Sequence, residues 1–129
     1  MIILLDTSTL LWQLGLEKSK LGSEAMRAME QAQIIYVSSI SIVEMQIKTM
    51  IGKLNAPANC EQVVYDANNE VLAFSAKAAD GLRNFPSLIR HDPFDRMLVA
   101  QAEAERITLL TSDKVLLGLG LDYIVDATF

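Results

Sequence analysis

Four acidic residues stand where short apolar runs end, and carboxylates so placed can do metal or acid–base chemistry. Asp6 closes the run Met1-Ile-Ile-Leu-Leu5. Glu44 lies inside Ile40-Ser-Ile-Val-Glu-Met-Gln-Ile47. Asp95 belongs to His91-Asp-Pro-Phe-Asp-Arg96, where a helix should begin, and Asp113 follows Ile107-Thr-Leu-Leu-Thr-Ser112. One carboxylate beside an apolar segment is ordinary. Four at the same kind of boundary point to one negative pocket at one end of a sheet. Crowded like charges are unfavourable unless a cation fills the space between them, and a hard divalent ion such as Mg²⁺ suits oxygen donors.

Each residue also has a plainer role. Asp6 can cap the helix after the first strand. Glu44 can pair with a lysine or arginine instead of a metal. Asp92 has the form of an N-cap before Pro93, which leaves Asp95 in the first helical turn, on a face with Leu98, Val99 and Ala102. Asp95 is therefore assigned to the pocket and Asp92 to the cap, with Asp92 kept as a possible additional acid. Asp113 or Ser112 can cap the turn Lys114–Leu117. Thr111 can hold a water or a phosphate oxygen, or merely bond locally in the turn. His91, the only histidine, has no cysteine or second histidine to complete a zinc site and is read as a loop residue without a catalytic role. Trp12 and Cys60 read as core.

The elements that would position these acids alternate. Strands are expected at Ile2–Leu5, Ile34–Val37, Val71–Phe74, Ile107–Leu110 and Tyr123–Val125, as short apolar runs. Helices are expected after Thr7 or Ser8, over Ser23–Ala32, from a Ser39 cap to Ile51 with Gly52 as terminator, from Cys60 to Ala67, from a Ser75 cap to Leu82, from Asp92 to Arg106, and at Lys114–Leu117. In the Glu44 helix, Ile40, Val43, Ile47 and Ile51 form the expected inward stripe, and Glu44 sits on its edge or inside it, where a carboxylate needs a partner. The alternation predicts a parallel α/β sandwich with ligands outside the carboxyl ends of the strands.

Composition sets the frame. The 129 residues, 51% of them apolar, fit one domain (1–129) with a substantial core. The net charge of −5 is the wrong sign for a general nucleic-acid coat. It does not exclude an enzyme acting on nucleic acid, since two divalent ions in the pocket would cancel four charges. Lys48, Lys53, Arg83, Arg90 and Arg96 flank the expected pocket. A single cysteine, the lack of a membrane-length apolar run and the lack of a basic leader point to the cytoplasm. Six methionines and the apolar fraction leave a protein partner or self-association open beside a well-filled core.

Four ordered segments carry a resemblance. Leu-Leu-Asp-Thr-Ser-Thr-Leu-Leu-Trp (4–12), Ser-Ile-Ser-Ile-Val-Glu-Met (39–45) with Gly-Lys-Leu (52–54), His-Asp-Pro-Phe-Asp-Arg-Met-Leu-Val-Ala-Gln-Ala (91–102) and Leu-Leu-Thr-Ser-Asp (109–113) resemble the PIN-domain family. Within it, the chain looks like the VapC-type toxin of bacterial toxin–antitoxin pairs. The resemblance implies a three-layer sandwich with a parallel sheet of four to five strands between helices. It implies a Mg²⁺- or Mn²⁺-dependent endoribonuclease using one or two ions, with Asp6, Glu44, Asp95 and Asp113 as catalytic and metal-binding residues. It also implies a homodimer and a cognate antitoxin whose C-terminal segment occupies the groove. Asp92 adds a fifth acid, so either member of the pair at 92 and 95 can be the ligand. Arg96 and Lys48 are candidates to hold the RNA backbone, with Thr111 beside them.

Three rivals stay on the table. A phosphoaspartate phosphatase needs a second acid two residues after the first, where this chain has Ser8. A receiver domain needs an acidic pair after strand one and a partner lysine, which are not evident. A catalytically silent binding module would use its carboxylates only as helix caps.

Overall fold

The computed structural model describes all 129 residues. A five-stranded, wholly parallel sheet forms from β1 (Ile2–Leu5), β2 (Ile34–Ser38), β3 (Glu70–Leu72), β4 (Thr108–Thr111) and β5 (Ile124–Asp126), in the order β3-β2-β1-β4-β5. Seven helices pack around it: α1 (Thr7–Gln13), α2 (Ser23–Gln31), α3 (Ser39–Met50), α4 (Cys60–Asp66), α5 (Ala76–Asp80), α6 (Pro93–Glu105) and α7 (Lys114–Leu117). This is the α/β sandwich expected from the alternating pattern.

β1 lies in the middle and is buried on both faces. Ile3 and Leu5 point into one apolar cluster, with Leu10, Met45, Val64 and Leu110. Leu4 points into the other, with Leu98, Val99, Leu109 and Leu116. That split is the period-two consequence of an extended chain between two helical layers. No helix is long and apolar enough to cross a membrane.

The chain runs outward from β1 through β2 to β3, then returns to the opposite side of β1 as β4. The sheet therefore reverses direction between β1 and β4, the place where such sheets open a crevice beyond their carboxyl ends. Asp6 and Asp113 follow these two strands.

Several boundaries differ from expectation. β3 stops at Leu72 instead of reaching Phe74, because the Phe74 N–H leaves the ladder and donates to Ser39 Oγ at 3.0 Å. β4 and β5 each begin one residue later than expected. The cap of α3 is Ser38, whose Oγ accepts the Ile40 N–H, and Ser39 is the first helical residue. Of the caps expected for α1, the one used is Asp6, and not Thr7 or Ser8. α5 ends at Asp80 and tightens into a 3-10 turn, Gly81–Asn84.

The larger correction concerns α3. Its expected inward stripe faces outward: Val43, Ile47 and Ile51 are 45%, 42% and 60% exposed. Glu44 is buried, as expected of a residue at the edge of the inward face or inside it, but its buried neighbours are Ser41 and Met45. The polar groups of Ser41 and Glu44 find hydrogen-bond partners on that side, so burying them there is tolerable.

The end of the chain also has a structural role. The Phe129 carbonyl oxygen accepts the N–H groups of Glu24 and Ala25 at 2.7 and 3.3 Å, at the start of α2. Gly22, which has no side chain to cap with, lets this segment approach: a Cβ there would fall 2.0 Å from the Phe129 oxygen.

Candidate functional site

Asp6 is held at the carboxyl end of β1 by two bonds with different jobs. Its Oδ1 accepts the Thr9 N–H at 2.8 Å, capping α1. Its Oδ2 accepts the Thr111 hydroxyl at 2.6 Å, across the crevice from the end of β4. The residue is 4% exposed. Burial pushes its carboxyl above the usual range, against the bonds from Thr111 and Thr9, and Glu44 adds a smaller upward push.

Thr111 Oγ1 also accepts the Asp113 N–H at 3.0 Å. Asp113 in turn caps α7, with Oδ1 accepting Val115 and Leu116 N–H groups at 2.9 and 3.0 Å. Its Oδ2 is left for other partners. Thr111 is fully buried and its hydroxyl is taken by two acids. In this position it orients the two acids.

Glu44 enters from α3. Its Oε1 lies 2.6 Å from the Thr7 hydroxyl, which itself lies 3.0 Å from Ser41 Oγ. Its Oε2 accepts from Lys48 Nζ at 2.6 Å, one helical turn on. The lysine partner weighed from sequence is therefore present, and it is held charged chiefly by this bond. The pair neutralises one acid of the cluster and leaves the others without a cation.

Asp92 caps α6, its Oδ1 accepting Phe94 and Asp95 N–H groups. It is exposed. Asp95 caps nothing. Its carboxyl is pushed up to about 7, first by burial and then by the charges of Asp92, Asp113, Asp6 and Glu44. The charges of Asp6 and Glu44 reach Asp95, but of the four acids assigned from sequence only Asp95 and Asp113 belong to a group whose donor atoms all lie within 4.8 Å of one another.

Arg96 makes no ion pair, and its Nε is buried without a hydrogen-bond partner.

Sequence reading gave His91 no role, yet its Nε2 lies 3.2 Å from Asp113 Oδ2 and 3.4 Å from Asp95 Oδ2. The three side chains can each offer one donor atom within 4.8 Å of the others. The usable signal was the spacing of His91 from Asp95, four residues apart across a Pro-initiated helix start. Without the return of β4 beside β1, that spacing says nothing about Asp113.

The chain matches the PIN domain family over residues 3–119. It belongs to that family. No curated protein matches this PIN domain by sequence. Solved structures share its fold. Among them are DNA-bound VapBC from Salmonella typhimurium, 22% identical, with 98% of each chain covered and a TM-score of 0.69. VapBC2 from Rickettsia felis, bound to a DNA fragment from its promoter, is 17% identical, covering 98% of this chain and 97% of that one, with a TM-score of 0.66. A toxin–antitoxin complex from Klebsiella pneumoniae is 17% identical over 95% of each chain, also with a TM-score of 0.66. At these identities the likeness is one of fold.

Proposed function

We propose that this PIN domain is a divalent-metal-dependent endoribonuclease of the toxin type, neutralised by a cognate antitoxin. The observation that carries the reading is Asp95. It is partly buried among four other acids, serves no cap, and has a carboxyl driven to about 7 first by burial and then by those charges. A silent module whose acids only cap helices explains Asp6, Asp92 and Asp113. It does not explain Asp95 or the buried Glu44. A phosphoaspartate phosphatase is disfavoured because Ser8, two residues beyond Asp6, is exposed and not acidic.

The donor set fits Mg²⁺ or Mn²⁺: carboxylate oxygens with too little positive charge around them. Asp6, Glu44, Asp95 and Asp113 would hold one or two such ions, with Asp92 nearby as a further acid. When bound, the ion supplies Lewis acidity, which makes a water nucleophilic near neutral pH and offsets charge on a phosphate oxygen. The chain's own residues do the positioning. Thr111 fixes the relative orientation of Asp6 and Asp113, and Thr7 with Lys48 fixes Glu44. Arg96, free of ion pairs, and Lys48, at the rim, are the cations available to a phosphate backbone. A single-stranded or distorted RNA segment suits such a cleft, and that substrate would place the enzyme in the cytoplasm.

Two apolar surfaces support the proposed partners. Val43, Ile47 and Met50 of α3 and its C-cap Ile51 are exposed and suit a homodimer. A groove of about 380 Å³ between α1 and α4, lined by Leu10, Leu14, Leu54, Pro57 and Val63, suits an apolar segment of an antitoxin.

The test uses the purified chain, free of antitoxin, with structured RNA in Mn²⁺ or EDTA, beside Asp6→Asn and Asp95→Asn. Cutting that needs metal and is lost in both variants is expected. Equal cutting by all three proteins, or no cutting by the folded wild type under any metal, overturns the reading.

A further inference from the structure

The cluster of His91, Asp95 and Asp113 contains the one nitrogen donor in an otherwise all-oxygen site. We propose that His91 Nε2 is a metal donor, so that the site takes Mn²⁺-type transition ions in preference to Mg²⁺. This inference rests on the metal-dependent reading above and adds the ion's identity to it.

Three observations support it. First, donors on an octahedral ion at 2.0–2.2 Å stand about 3 Å apart along each edge. The Nε2 separations of 3.2 and 3.4 Å from the two carboxylate oxygens are edges of that size. Second, the imidazole is placed by the fold. The His91 N–H donates to the Leu88 carbonyl at 3.0 Å, Leu88 is fully buried, and Asp92 caps α6 immediately afterwards. Third, no lysine or arginine pairs with Asp95 or Asp113, and the imidazole is the only side chain within ion-pair distance of both. Imidazole nitrogen favours first-row transition ions, whereas Mg²⁺ favours carboxylate, carbonyl and water oxygen.

His91 is the only histidine, so isotopic labelling assigns it without a variant. The untagged 129-residue chain is prepared with ¹⁴N- or ¹⁵N-histidine, loaded with Mn²⁺, and read by pulsed electron paramagnetic resonance. Calorimetric titration then compares Mn²⁺ and Mg²⁺ on wild type and His91→Gln. The expected result is a directly bound nitrogen coupling that changes with the label. His91→Gln should weaken Mn²⁺ about 10-fold or more and Mg²⁺ less than about 3-fold. Bound Mn²⁺ without nitrogen coupling overturns the proposal and leaves the nuclease reading standing. Equal weakening of both ions also overturns it, since that marks a histidine that only steadies Asp113 from outside. Failure of wild type to bind either ion overturns both readings.

Discussion

The Thr111 hydroxyl donates to Asp6 Oδ2 at 2.6 Å and accepts the Asp113 N–H at 3.0 Å, so one buried oxygen ties together two acids that follow neighbouring strands. A hydrogen bond to a carboxylate contributes about 1.5–3 kcal/mol when buried. Thr111→Val should destabilise the chain by about that amount and lower metal affinity roughly 10-fold. Thr111→Ser keeps the hydroxyl and should retain most of both. Denaturant unfolding and calorimetric metal titration check the pair of variants.

Asp95 sets the pH dependence of the metal-free chain. Its folded carboxyl titrates at about 7, above its ordinary value of 3.8, and Asp6 is shifted in the same direction. Between those values the native state keeps protons that the unfolded state releases. Stability therefore falls as pH rises from about 4 to about 7, and Asp95 adds no further slope above that window. Denaturant midpoints in EDTA at pH 5 and pH 8 should show the native state weaker at pH 8. Asp95→Asn should be more stable than wild type at pH 8 and show a smaller slope. A wild-type chain that gains stability from pH 5 to pH 8 would contradict this.

Glu44 and Lys48 should behave as a coupled pair. Lys48→Met leaves a buried carboxylate with only Thr7 beside it. The loss should be roughly 1–3 kcal/mol, below that of a fully buried pair because Lys48 is partly solvated. Glu44→Gln in the Lys48→Met background should recover much of it. A double-mutant cycle measures the coupling, and additive single losses would show that the contact contributes nothing.

Among the glycines, Gly22 has the closest backbone approach, with Phe129 lying where a Cβ would be. Gly22→Ala should destabilise by about 1–3 kcal/mol through overpacking and should loosen the start of α2. Thermal unfolding gives the first quantity, and hydrogen exchange at Glu24 and Ala25 gives the second.

How much of this was legible in the residues depended on range. β1, the Asp92-Pro93 cap and the Lys114–Leu117 turn are set by neighbours a few positions away, and they stood where the pattern put them. α3 was legible as a helix but not in its orientation. The expected inward stripe carried Glu44 at its edge, and of that face Glu44 is buried while Val43, Ile47 and Ile51 are exposed. The choice was made by Thr7, 37 residues from Glu44. The convergence of the acids could be inferred from the fold rule for parallel sheets. His91 could not, because its contact with Asp113 spans 22 residues and depends on β4 pairing beside β1. Thr111 was noticed for its hydroxyl, but its burial under Asp6 follows from that same pairing.

The central position of β1 has a consequence for a chain still on the ribosome. Asp6 is made early, but its backbone N–H bonds to Leu110 and its carboxylate to Thr111. At synthesis rates of about 5–20 residues per second, the partners of Asp6 emerge roughly 5–20 s after it does. Until then the first acid has no crevice to belong to.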